Sequence, residues 1–247
     1  MDTSAGALTI IAGAFLLAGV VKGVLGMGLP TVAMGVLGLV MPPAQAAAIL
    51  VIPSLVTNVW QLAAGPNFRG VIKRFASMMI AICLGTFLGL GLLADASKAA
   101  TAALGAVLAI YGVVGLVSVR FRVPRRAEPG LSPVIGFITG ILTGATGVFV
   151  IPAVPYFASL DLDRDALIQT LGLAFTVSTL ALGAGLIWTG HFNIGAGAAS
   201  LLALVPSLAG MYAGQYVRSR LKPEVFRRWF FTALVPLGAY MVVRAAF

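Results

Sequence analysis

Apolar residues run through this chain in long stretches, and the charged positions mark where those stretches stop. The intervals 3–21, 23–68, 75–94, 99–119, 129–160, 166–217 and 229–243 contain no Asp, Glu, Lys or Arg. A helix that crosses the hydrocarbon of a bilayer needs about 20 apolar residues at about 1.5 Å of rise each. On that measure 75–94 and 99–119 are one helix each, and 166–217 holds two helices that turn near Gly190, His191, Phe192 and Asn193. Interval 23–68 also exceeds one span. Its breaks fall at Gly26-Met27-Gly28-Leu29-Pro30, Met41-Pro42-Pro43 and Gly65-Pro66-Asn67, because Gly and Pro interrupt helices and the residue before Pro avoids the helical region. The piece from Thr31 to Val40 is too short to cross.

Composition agrees with a bilayer as the main solvent. Of 247 residues 60% are hydrophobic and 9% charged, with a mean hydropathy of +1.05; a soluble domain carries about 25% charged residues. The net charge of +9 is therefore not the footprint of a nucleic-acid binder. A single cysteine, Cys83, excludes a disulfide framework and a CxxC redox pair. Asp2 precedes the first apolar run with no basic residue beside it, so that run is expected to stay in the mature protein as a span. The most polar connector, Arg120 to Pro133, reads as a basic linker between two halves.

Those halves resemble each other. Gly19-Val-Val-Lys22-Gly23-Val-Leu-Gly26 lies over Gly140-Ile-Leu-Thr143-Gly144-Ala-Thr-Gly147 at an offset of 121 without gaps, and Pro30 then falls one residue from Pro152. Gln45, Ser54 and Phe68 match Gln169, Ser178 and Phe192 at an offset of 124, and Gly85 and Gly89 match Gly210 and Gly214 at 125. Basic residues mark cytoplasmic loops, and twelve of the sixteen lie in three of them: 69–74, 120–126 and 218–228. All three can be inside only if the segment 131–158 enters and returns as a hairpin of two half-helices broken at its glycines. Equivalent loops then change sides, since the basic loop after Phe68 corresponds to the neutral one at His191, and the Asp95–Lys98 loop to the basic 218–228. The expectation is an all-α polytopic membrane protein of two inverted-topology repeats. Each is a Gly/Pro-broken hairpin followed by three transmembrane helices, with about eight to ten membrane segments in all. Residues 1–119 form the first repeat, 120–130 a cytoplasmic linker and 131–247 the second.

Lys22 is the charged side chain farthest from a loop cluster. Burying a lysine in a span costs about 2.5–3.5 kcal/mol on insertion scales, which points to an anionic partner; the alternative is that its long stem snorkels to the interface. Where a helix restarts after a break, its first N–H groups are unpaired and suit an oxyanion. That nominates Gly26, Gly28 and Pro30 in one half and Gly147 in the other, with Thr31, Thr143 and Thr146 as hydroxyl donors. The pairs Gly19/Gly23 and Gly140/Gly144 also have the GxxxG spacing of closely packed helices. For Gly85/Gly89 and Gly210/Gly214 packing is the preferred reading, within the chain or in a homodimer. Gln45 and Gln169 are paired by the repeat, each followed by polar residues, among them Ser54, Thr57 and Asn58 or Thr176, Ser178 and Thr179. Asn58 and Ser178 join the candidate set, with a structural interhelical bond as the alternative for the amide.

All seven acids fall at termini or in loops, which leaves no intramembrane carboxylate for a proton relay. Asp161-Leu162-Asp163-Arg164-Asp165 lacks the spacing of a calcium loop and reads as a helix cap. One histidine cannot make a metal site, and no HExxH, GxSxG or Walker pattern is present, so neither a cofactor nor an enzymatic activity is expected. Trp60, Trp188 and Trp229 read as interfacial anchors.

The early Gly-Val-Val-Lys-Gly-Val-Leu-Gly-Met-Gly motif with its downstream proline, the second copy from Gly140, and a basic central linker together resemble the TauE/SafE sulfite exporter family of permeases. The first repeat is shorter between glycine and proline than that family's looser pattern. The resemblance implies an integral protein of the bacterial inner membrane that moves small sulfur-containing anions such as sulfite, thiosulfate or sulfoacetate. Its expected partners are the anionic substrate and the lipid bilayer. An uncoupled channel or uniporter is the nearest alternative reading, and a membrane scaffold or enzyme a more distant one.

Overall fold

The glycine and proline breaks divide the chain into helices of two lengths. The structure, a computed structural model, describes residues 5–94, 98–117, 122–218, 220 and 223–247; Asp2, Asp95, Arg120 and Lys222 lie outside the described residues. Among the described residues all regular structure is helical. Eight helices are long and apolar enough to cross a bilayer: α1 (Ala5–Leu25), α3 (Pro43–Ala63), α4 (Phe68–Ala94), α5 (Lys98–Val117), α6 (Glu128–Thr146), α8 (Arg164–Trp188), α9 (Ile194–Arg218) and α10 (Pro223–Ala246). Two short helices, α2 (Leu29–Leu37) and α7 (Ala153–Ser159), follow α1 and α6. The protein is thus all-helical and polytopic.

Both hairpins break at glycines in the left-handed region, which a Cβ disfavours. Gly26 (φ 76°) and Gly28 (φ 100°) separate α1 from α2, and Gly147 (φ 72°) closes α6 with its N–H on the Thr143 carbonyl at 2.8 Å. Pro30 occupies the first turn of α2, where no N–H is needed. One expectation is corrected. The segment 131–158 is not a pair of half-helices, because α6 has 19 residues, a full crossing length, and only α7, with seven, is short. Gly136, Gly140 and Gly144 continue α6 because they are packed against α4, and tertiary contact overrides their weak helix propensity. The hairpin nevertheless closes on itself. Ser132 Oγ and Tyr156 OH share a hydrogen bond of 2.7 Å, and the Val123 N–H donates to the Ser159 carbonyl at 3.1 Å.

Close backbone packing joins α1 to α9 and α4 to α6. Gly19 and Gly23 face Gly210 and Gly214, and Gly85 and Gly89 face Gly140 and Gly144. A Cβ at Gly23 would lie 2.9 Å from both the Gln215 nitrogen and the Gly214 Cα, too close for any side chain to be accepted. The GxxxG faces are therefore used inside the chain, and a homodimer would need other surfaces. Helices α5 and α10 pair beside them, while α3 and α8 cross at the centre as the two most enclosed spans. Pro53 within α3 removes the N–H that would meet the Ile49 carbonyl. Ser200 of α9 replaces it, donating to Ile49 O at 2.7 Å and accepting from Ile52 N at 3.0 Å.

Outward faces are apolar. Ile80, Leu84 and Leu88 on α4 and Leu201, Leu202 and Val205 on α9 are all exposed, a pattern that lipid tolerates and water does not. Trp60, Trp188 and Trp229 are exposed at helix ends. Glu128 is not a loop residue. It opens α6, is buried, and holds Arg74 of α4 in a two-pronged pair at 2.5 and 2.7 Å. The expected cap at Asp163 is present, its carboxylate accepting from Ala166 N at 2.8 Å.

Candidate functional site

Lys22 lies in the last turn of α1 and does not snorkel, being 4% exposed. Its ammonium donates to Asn58 Oδ1 of α3. Asn58 Nδ2 donates to Ser54 Oγ at 3.0 Å, and Ser54 Oγ is 3.1 Å from Thr179 Oγ1 of α8. Thr179 spends its own proton on the Phe175 carbonyl at 2.7 Å, so Ser54 must be the donor between the two hydroxyls. Every donor in this chain points away from Lys22. The oriented amide and hydroxyl dipoles therefore favour positive charge at Nζ, and each bond polarises the next. Among the described residues no carboxylate pairs with Lys22; the ion pair they form is Arg74 with Glu128.

Beside this chain is a cavity of about 500 Å³ lined by Lys22, Gly23, Gly26, Thr57, Trp60 and Gln61, and also by Asp165, Met211, Gln215 and Arg218. Gln61 fixes the wall. Its Nε2 donates at 3.0 Å to both the Gly26 and the Ile168 carbonyls, tying the end of α1 to the start of α8, and its Oε1 is buried without a partner. An ammonium has three N–H donors. One is spent on Asn58, which leaves Lys22 able to donate to an oxyanion. The cation is nearer one end than mid-span, since Asn58 lies five residues from the end of α3, about 7–8 Å of rise.

Other candidates are placed elsewhere. Gln169 holds backbone at both ends of its amide, donating to Leu62 O at 3.0 Å and accepting from Asn67 N at 2.9 Å, so it straps the α3–α4 turn. Gln45 is at the start of α3, a helix length from Gln169, so the two glutamines do not meet. Thr143 and Thr146 bond the Thr139 and Leu142 carbonyls of their own helix at 2.7 and 2.6 Å. Gly28 and Pro30 open α2 against apolar neighbours: a Cβ at Gly28 would meet Val21 and Phe230. Gly147 likewise faces Met34 and Ala47. The half-helix starts therefore do not line the Lys22 cavity. Thr31 and Ser178 are fully buried with unpartnered hydroxyls, and neither lines that cavity.

Gln61, Gln215 and Arg218 were not singled out from sequence. For Gln61 a signal existed, because Ser54, Thr57, Asn58 and Gln61 recur at the spacing of one helix face.

A helical bundle that crosses the membrane and encloses an unpaired cation at the wall of an open cavity has the construction of a solute transporter. The family model described as Sulfite exporter TauE/SafE matches residues 11–241, and the chain belongs to that family. Both glycine motifs from which the resemblance was read lie inside the matched range. Comparison with curated proteins and with solved structures gave no match.

Proposed function

We propose that this protein is a secondary transporter that carries a small sulfur oxyanion or organosulfonate, such as sulfite, thiosulfate or sulfoacetate, across the bacterial inner membrane. The observation that carries the reading is Lys22: a buried cation without a carboxylate, held by an amide and facing a cavity of about 500 Å³. Lys22 and Arg218 outnumber Asp165 on the cavity wall, and an anion there balances the remaining positive charge. Gln61 and Asn58 are assigned to the same site.

Residues 1–119 and 131–247 act as inverted repeats joined by 120–130, and the site opens alternately to the two sides as they rock. Reciprocal packing supports this. Exchanging α1 with α6 and α4 with α9 turns the α1–α9 pair into the α6–α4 pair, and exchanging halves leaves α3–α8 and α5–α10 as they are. Arg218, which opens the basic segment 218–228, lines this cavity, and the positive-inside bias assigns that end of it to the cytoplasmic side.

The test is flux in proteoliposomes loaded with sulfite, thiosulfate or sulfate, with Lys22→Met as the control. Saturable sulfur-anion flux that Lys22→Met abolishes in folded protein is expected; equal flux in the variant overturns the assignment. The uniporter reading is separated by an imposed pH gradient, to which uncoupled flux is blind.

A further inference from the structure

A second cavity, of about 680 Å³, opens beside the first among the ends of α1, α5 and α9, the starts of α8 and α10, and α7. It shares Ile168 and Arg218 with the cavity of Lys22. Its charge is one-sided: Arg122, Arg164, Arg218 and Arg227 line it, with Glu224 as the acid among the described residues of its wall. The remaining wall is largely apolar, formed by Val24, Leu25, Val154, Leu167, Leu171 and Phe231. A small inorganic anion gains nothing from such a wall. An amphiphile with a charged head and an apolar tail uses both parts of it.

Its level in the bundle agrees. The arginines belong to the basic end, Trp229 on α10 is 71% exposed beside them, and Val113 and Val117 of α5 are exposed outward where acyl chains pack. Tryptophan prefers the headgroup level, and basic pockets between transmembrane helices recognise anionic headgroups.

We propose that this cavity seats an anionic phospholipid, with its phosphodiester among the guanidiniums and an acyl chain along the apolar wall. The planar guanidinium fork matches two phosphate oxygens at once, which a point charge does not. Because Arg218 belongs to both cavities, a lipid phosphate there sets how much positive charge remains on the wall of the Lys22 cavity. The lipid site itself does not rest on the identity of the transported solute.

The experiment uses the full chain in a neutral detergent, with native mass spectrometry for retained lipid and thermal melting for affinity. Phosphatidylglycerol, phosphatidylcholine and inorganic phosphate are the probes. Phosphatidylglycerol is expected to be retained and to raise the melting temperature, phosphatidylcholine to do so far less, and the double variant R164Q/R227Q to weaken the phosphatidylglycerol response about tenfold. Should that variant not fold, Arg122→Gln in the connector to α6 provides the same comparison with a smaller loss. Equal retention of the two lipids, or an undiminished response in the variants, overturns the proposal. So does a stabilisation by inorganic phosphate equal to that by phosphatidylglycerol, which would make this a soluble-anion site.

Discussion

The substitution Asn58→Asp places a carboxylate where Lys22 now meets an amide oxygen, with almost no change of shape. The ammonium then has an internal counter-ion, and the cavity wall loses its net positive charge. At 4 Å and an effective dielectric constant of 20, a unit charge pair is worth about 4 kcal/mol. A substrate monoanion that had this attraction to itself now shares it with the introduced carboxylate, so its affinity should fall by about 100- to 1,000-fold at 1.4 kcal/mol per decade. Folding should not suffer. The variant gives up the Nδ2 hydrogen bond to Ser54, worth about 1 kcal/mol, and gains a buried ion pair in its place. The assay is sulfite binding to purified protein by thermal shift, with sulfate and chloride alongside and the melting temperature without ligand as the folding control. Sulfite affinity within about threefold of the unmodified protein, in a variant that melts normally, would refute the electrostatic reasoning and remove Lys22 from the site.

Further outcomes follow from packing and from the straps. Gly89→Ala drives a Cβ into the α6 backbone, while the same change at Gly91 meets nothing within 4 Å; the first should cost about 1–3 kcal/mol and the second be neutral or stabilising by up to about 1 kcal/mol, read as opposite shifts in melting temperature. Gln61→Leu leaves the Gly26 and Ile168 carbonyls without their donor, so both stability and sulfite response should fall, with about 1–3 kcal/mol per orphaned group as the scale. Glu128→Gln weakens the two-pronged pair with Arg74. It should lower the melting temperature and leave sulfite binding unchanged; a change in binding would mean that the α4–α6 contact reaches the site.

The sequence carried the helices more readily than their meetings. Charge-free intervals and Gly/Pro breaks place the spans because lipid demands both continuous apolar length and internally satisfied backbone. They could not show that α6 runs straight through three glycines, since that depends on α4 lying against it. For the polar residues the same division holds. Lys22 and Asn58 stood out as costly groups within spans, and they lie in one hydrogen-bond chain. Gln45 and Gln169 stood out by their matching places in the two halves of the sequence, yet they lie a helix length apart, by opposite ends of α3. Which threonines bond their own helix, as Thr143 and Thr146 do, is a matter of rotamer that the letter alone does not encode.

The glycine seams between α1 and α9 and between α4 and α6 bring main chain against main chain, with no flexible side chains in between to act as bearings. Helices in that contact cannot slide or roll past each other without first separating. Each pair is therefore one double-width strut, and any movement within the bundle carries both of its helices together.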